Sequence, residues 1–203
     1  IASRLKALPR KAAAMSDRLL FFRQLLSKPK QISAISPSSP WLARAVAKGL
    51  GPDTGKVVEF GPGTGALTRG ILAAGVAARD LTVFEMDADF VQHLAKSFPG
   101  ITIHNTGAQL APRFMARDIA SVISGLPLLS MPAELRMSIV GAAFQILQPG
   151  GRYVQFTYGA RPALTLEQMN SLGITVDSGV KVWANLPPAR VFTFRRRSEP
   201  PSV

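Results

Sequence analysis

The sequence predicts an α/β fold: a mainly parallel, doubly wound sheet that finishes in an antiparallel pair. Three observations predict it. The β-favouring run Val57-Val58-Glu59-Phe60 enters a glycine turn, Gly61-Pro62-Gly63-Thr64-Gly65, and Leu67, Ile71 and Leu72 follow at helical spacing. Strand-like and helix-like stretches then alternate as far as Tyr158. Two last strand-like segments, 174–183 and 190–196, have only Pro187-Pro188 and short flanks between them, which suits an antiparallel closing pair.

Taken in order, the proline- and serine-rich connector 32–40 offers Ser38 or Ser39 as the cap of a helix, with Pro40 in its first turn. That helix runs to about Leu50. The first strand and the glycine turn come next, and a helix from Ala66 to about Ala74 completes the unit. The second strand starts at Leu81 and ends at Glu85. The helix over 88–98 is stopped by Pro99-Gly100, and 101–104 forms the third strand. Strand four is Ile119 to Ser124, running into Gly125-Leu126-Pro127-Leu128. A helix spans 132–147, with Pro149-Gly150-Gly151 beyond it, and strand five spans 152–158. A short helix lies near 164–172.

With 203 residues and 47% hydrophobic content, the chain suits one domain with a substantial core. No apolar run reaches the ~20 residues of a transmembrane helix. The absence of cysteine excludes disulfides and thiolate metal sites, and two histidines, His93 and His104, argue against a histidine metal centre. His104 reads as a polar strand end. The net charge of +12 calls for an anionic partner, either nucleic acid or an acidic membrane surface. Residues 1–30 hold eight Lys and Arg side chains against Asp17 alone. Within them Met15, Leu19, Phe22 and Leu26 recur at helical spacing, with Arg18 and Arg23 beside the stripe. Such a helix suits an anionic bilayer, and it equally suits packing on the domain as a cap.

The glycine turn and Glu85, 20 positions after Gly65, form the candidate site. A glycine turn brings backbone amides close to a ligand, and an acid ending the second strand can accept hydrogen bonds from ribose hydroxyls. An adenosine-containing cofactor follows from the two together. The G-x-G-x-G spacing departs from the dinucleotide fingerprint. Glu59, two residues before the first glycine, would repel a pyrophosphate but suits the α-ammonium of a methionine moiety.

The motif E-x-G-x-G-x-G resembles motif I of the class I S-adenosylmethionine methyltransferases. The chain as a whole resembles the soluble, peripheral bacterial phospholipid N-methyltransferases, which methylate phosphatidylethanolamine toward phosphatidylcholine. The residues that carry this are 58–65, Ser124-Gly125-Leu126-Pro127-Leu128-Leu129-Ser130-Met131-Pro132, Gln155-Phe156-Thr157-Tyr158-Gly159 and 185–191. The resemblance implies a Rossmann-like, seven-stranded sheet with an antiparallel edge over residues 36–203, and S-adenosyl-L-methionine as cofactor without a metal. It implies cofactor contacts from Glu59, Gly61, Gly63, Thr64, Gly65, Glu85, Met86, Ala108, Gln109 and Ser124. Relatives often carry an aspartate where Ala108 stands, to hold the adenine amino group; Gln109 or backbone groups take that part here. Ser124, Gly125 and Leu126 are expected near the amine through their carbonyls. Tyr158 is expected either as a polar orienter or as a sheet-end tyrosine with a satisfied hydroxyl.

The resemblance also implies a membrane-binding segment over residues 1–35, with Arg18, Leu19, Phe22, Arg23 and Leu26 on the inner face of the cytoplasmic membrane. It places 35–38 as either a loop near the methionine end of the cofactor or a plain helix entry. Two other readings stand beside it. Ribosomal RNA adenine dimethyltransferases share motif I and the acid after strand two, but they grip a flipped base with N-L-P-[YF], where this chain has Gly125-Leu126-Pro127-Leu128. A lipid-surface protein without activity is the other reading. The expected partners are therefore an anionic phospholipid surface and an aminolipid, without nucleic acid.

Overall fold

β1 (Val57–Phe60) is fully buried and hydrogen-bonded along both edges, so every later element is placed relative to it. The computed structural model describes residues 39–177 and 179–197. The expected membrane segment with Arg18, Leu19, Phe22, Arg23 and Leu26, and the loop 35–38, lie outside them. On one side of β1 come β2 (Leu81–Phe84) and then β3 (Thr102–His104); on the other come β4 (Ile119–Ser124) and β5 (Leu147–Thr157), all parallel. The chain therefore reverses its winding direction between β1 and β4, which opens a crevice at the carboxyl ends of those strands. β8 (Ala189–Arg196) pairs antiparallel with β5 and closes the edge together with β6 (Ile174–Val176) and β7 (Val180–Val182).

Among the described residues the sheet has eight strands where seven were expected, because the segment read as one strand over 174–183 is broken. Between the pair Val176–Phe194 of β6 and the pair Val180–Val191 of β7 the edge is interrupted by a break. Gly179 sits in it, and a Cβ there would lie 2.6 Å from the ring of Phe192. Strand five begins at Leu147 rather than Arg152, with a register shift between Ile119 and Ser121 that absorbs the Pro149-Gly150-Gly151 turn.

α1 (Pro40–Val46) is capped by Ser39, whose hydroxyl accepts the Leu42 N–H at 3.2 Å, and Pro40 opens its first turn. Leu42, Ala43 and Val46 are buried in one cluster with Leu67 and Ile71 of α2 (Ala66–Ala73) and with Ile123, Val154 and Val191 of the sheet. The remaining helices are α3 (Ala88–Ser97), α4 (Ala133–Ile146) and α5 (Leu166–Ser171), the last opened by a Thr165–Gln168 capping box. Tyr153 is fully buried between Phe144 and Phe194, with ring centroids at 6.3 and 5.7 Å.

α1 crosses α2 at Gly70, where a Cβ would meet Ala43 Cβ at 2.8 Å and its carbonyl carbon at 3.0 Å. Alanine favours a helix over glycine by about 1 kcal/mol, yet overpacking against backbone costs about 1–3 kcal/mol. Gly70→Ala is therefore expected to destabilise the fold despite its propensity, and urea unfolding would register the sign.

Candidate active site

The carboxyl ends of β1, β2 and β4 are tied together by two backbone bonds. Gly61 N–H donates to the Phe84 carbonyl at 2.9 Å, and Gly125 N–H donates to the Phe60 carbonyl at 2.8 Å. The three glycines of the turn all have positive φ, but their missing side chains serve different ends. A Cβ on Gly61 would lie 2.4 Å from Leu126 Cδ2, and one on Gly65 would lie 2.3 Å from Phe98 Cε2, so both positions are needed for packing. A Cβ on Gly63 would meet nothing within 4 Å. Only at Gly63 does the missing side chain leave open space, as a ligand cradle needs. Thr64 is exposed beside it, and its carbonyl accepts from Arg69 at 3.3 Å.

Glu85 holds this turn. Its Oε2 accepts the Gly63 N–H at 3.0 Å, and its Oε1 accepts the Asp87 N–H at 2.9 Å. Burial raises its pKa, opposed by those backbone donors. The Met86 N–H acts on the same carboxylate, and its four lone pairs still leave room for a hydroxyl donor. Asn105, which sequence reasoning missed, donates to the carbonyls of Glu85 and Met86 at 2.9 and 3.1 Å and fixes the strand end. A lone asparagine after a strand carries no sequence signal that separates this role from a turn. Ala108 is buried at the start of a 3-10 turn (Ala108–Arg113), and the Gln109 amide folds back against Gly107, where a Cβ would lie 2.5 Å from its Oε1. His104 is packed between Phe84 and Phe114, with ring centroids 4.9 and 4.7 Å away, as a strand-end side chain.

Glu59 differs from its expectation. Its side chain has no exposed surface, Oε2 accepts the Thr68 hydroxyl at 2.6 Å, and Oε1 faces no donor. Desolvation pushes its pKa up to about 8, with the Thr68 hydroxyl opposing and Glu85 adding a like charge.

The loop after β4 closes the site. Ser124 is buried, and its Oγ accepts the Leu126 N–H at 3.4 Å. The Leu126 carbonyl already accepts from Leu128 N–H at 2.9 Å and from Gln155 Nε2 at 3.0 Å, so it has no lone pair left for an amine. That corrects its expected part. Gln155 is the second residue missed: it also donates to the Phe156 carbonyl at 2.9 Å and accepts the Tyr153 hydroxyl at 2.7 Å. Its place in a strand with few charged neighbours, between buried Tyr153 and Thr157, was the available signal. Tyr158 stands half-buried beyond it, stacked edge-on against Phe156 at 5.6 Å. Its hydroxyl lies beside Asn185, but Asn185 is already engaged by Ser39 N–H at 3.0 Å and by the Pro187 carbonyl at 2.8 Å. The buried Tyr158 hydroxyl closes no well-formed hydrogen bond.

No family model matches the chain. An ornithine lipid N-methyltransferase of Singulisphaera acidiphila is 30% identical over 151 residues, which cover 70% of this chain and 79% of that protein. A ribosomal RNA small subunit methyltransferase A of Parabacteroides distasonis is 38% identical over 69 residues, covering 34% of this chain and 23% of that one. Among solved structures, the 1,6-didemethyltoxoflavin-N1-methyltransferase of Burkholderia thailandensis, with its substrate and S-adenosylhomocysteine bound, superposes with a TM-score of 0.64. It covers 97% of this chain and 94% of its own at 13% identity, a likeness of fold.

Burial of Glu59 makes stability depend on pH in a stated direction. The folded carboxyl keeps its proton up to about 8, while the unfolded one loses it near 4.5. Unfolding in that window releases a proton, so this group's contribution to stability falls as pH rises and levels off above about 8. Glu59→Gln, which carries the neutral form at every pH, should flatten the fall in Tm across this window. Parallel Tm–pH curves for the two proteins would refute the assignment.

Proposed function

The chain belongs to the class I S-adenosylmethionine-dependent methyltransferases, in the family of the ornithine lipid N-methyltransferase, and from that premise we propose that it methylates the amine of phosphatidylethanolamine and of its mono- and dimethyl forms, toward phosphatidylcholine. The observation that carries a lipid over a nucleobase is the loop Gly125-Leu126-Pro127-Leu128. It offers neither a side-chain amide nor a stacking ring to grip a flipped base. Ornithine lipid is the second reading, favoured by the 30% identity.

The residues present fit the cofactor. The open side of Gly63 would receive its chain, and the free lone pairs of Glu85 would receive the ribose hydroxyls. When bound, S-adenosylmethionine supplies a methyl group on a sulfonium, open to in-line displacement by a neutral amine. The chain's own part is to orient and desolvate that amine. The carbonyls of Ser124 and Gly125 lie at the β4 end of the crevice, and Leu126 is held behind them by Gln155. Tyr158 contributes a hydroxyl that lies beside Asn185. The amine's proton leaves to water. Attachment to the inner face of the cytoplasmic membrane through the basic segment over 1–35 belongs to the same proposal.

The deciding assay offers labelled cofactor with phosphatidylethanolamine vesicles, ornithine lipid vesicles and ribosomal RNA. Label in phosphatidylethanolamine is expected. Label confined to ornithine lipid would replace the substrate, and label confined to RNA would overturn the lipid reading.

Glu85→Ala should weaken S-adenosylhomocysteine binding at least about tenfold, since hydrogen bonds to a charged group are worth about 1.5–3 kcal/mol. Calorimetry on variant protein with an intact circular dichroism spectrum would test this. Phe22→Asp with Leu26→Asp should weaken co-sedimentation with anionic vesicles about tenfold or more and leave that calorimetric affinity unchanged. Sedimentation like the parent's would remove the segment as an anchor.

A further inference from the structure

Four large apolar side chains stand in water on the described surface at the same end of the sheet as the site: Trp41 at 58% exposure, Leu129 at 53%, Trp183 at 72% and Leu186 at 83%. Their common location follows from the pairing. Thr157, the last residue of β5, faces Arg190, and Ala189 faces Val182, so the 183–188 loop stands at the carboxyl rim of the parallel strands. Asn185 in that loop accepts the Ser39 N–H at 3.0 Å, which brings the start of α1, with Trp41, to the same rim. Leu129 follows the β4 loop, and a Cβ on Gly159 just beyond β5 would lie 4.0 Å from its Cδ1.

The chain stretches that carry these side chains bear charges of one sign. Residues 39–44, 125–132, 158–165 and 179–190 carry Arg44, Arg161, Lys181 and Arg190 and no carboxylate. Two of the cations sit directly on the aromatics: Lys181 Nζ is 3.4 Å from the centroid of the Trp183 ring, and the Arg44 guanidinium is 5.5 Å from that of Trp41. An exposed cluster of tryptophan and leucine signals a docking surface, and its cationic surroundings select the partner's charge. Tryptophan beside cations fits the headgroup layer of a bilayer, where the ring is half in the acyl boundary and the cation meets phosphate. A second protein surface of ordinary mixed charge would leave these cations unmatched.

We propose that this rim docks on an anionic lipid bilayer, with Trp41, Leu129, Trp183 and Leu186 at the acyl boundary and Arg44, Arg161 and Lys181 against the headgroups. The proposal rests on the aminolipid reading above and deepens it: the crevice opens toward the plane in which a lipid amine lies, so the lipid reaches it without leaving the membrane. The residues that form this surface differ in sequence from those of the basic segment over 1–35.

The chain has two tryptophans, both on this rim, so its intrinsic fluorescence reports on the surface directly. The full-length protein is titrated with vesicles of phosphatidylcholine and phosphatidylglycerol, with and without bromine on the acyl chains. A blue shift and quenching by the brominated lipid are expected. Trp183→Asp with Leu186→Asp should lower vesicle partitioning about tenfold or more, since two exposed apolar groups lose their burial. Transfer to aminolipid in vesicles should fall in step, while transfer to the same lipid in detergent micelles stays at the parent's level. Unshifted tryptophan emission in protein that still sediments with vesicles would overturn the proposal, as would a double variant that partitions like the parent. A blue shift on concentrating the protein without lipid would assign the face to a second copy and overturn it equally. Quenching by brominated vesicles without methyl transfer to any aminolipid would instead sink the substrate reading and leave the docking surface standing.

Discussion

The carboxylate of Glu85 is the joint on which the site depends. One oxygen takes the Gly63 N–H and the other takes the Asp87 N–H, so a single side chain clamps the turn after β1 to the turn after β2. A glycine turn with φ of 67°, 53° and 78° has little of its own to hold it, because glycine loses the most conformational freedom on ordering. The clamp converts that freedom into a fixed cradle with an open side at Gly63. It also explains why an acid is tolerated at 6% exposure: backbone donors offset part of its desolvation.

Glu59 lies under the same turn, buried and close enough for Glu85 to raise its pKa. Two ionised carboxylates in one dry region repel, and a protonated Glu59 removes that repulsion while keeping its bond to Thr68. The arrangement gives the two acids different duties: Glu85 accepts the backbone N–H groups of two turns, and Glu59 holds the Thr68 hydroxyl.

Most of the fold was legible because strand and helix periods were clean and glycine and proline marked the boundaries. β4 was read at its observed limits, Ile119–Ser124, and Ser39 and Pro40 open α1 as their chemistry dictates. What escaped depended on contacts between distant residues. The break between β6 and β7 arises where Phe192 of β8 meets Gly179, and no local pattern encodes that meeting. In the site, the turn and Glu85 were legible through their fixed separation, whereas Gln155 and Asn105 act by reaching carbonyls 29 and 20 residues away in sequence. The same distance hid the loss of Leu126 as an acceptor, since the group that occupies it belongs to another strand.

The cationic rim bears on the chemistry as well as on docking, and magnitudes decide how much. An alkylammonium with a lysine-like pKa of about 10.4 needs roughly 4–5 kcal/mol to lose its proton at neutral pH. A cation ~10 Å away in water contributes only about 0.4 kcal/mol of repulsion, and salt screens it over about that distance. Arg44, Arg161, Lys181 and Arg190 together therefore supply a minor share of that cost. Desolvation is the larger lever, since removing water from an ammonium disfavours its charge directly. On the reading proposed here, the apolar Leu126–Leu129 loop and the half-buried Tyr158 provide that dry wall, and the bilayer provides the other. A site without a paired acid and base can then methylate an amine, provided that the surface around it seals against lipid.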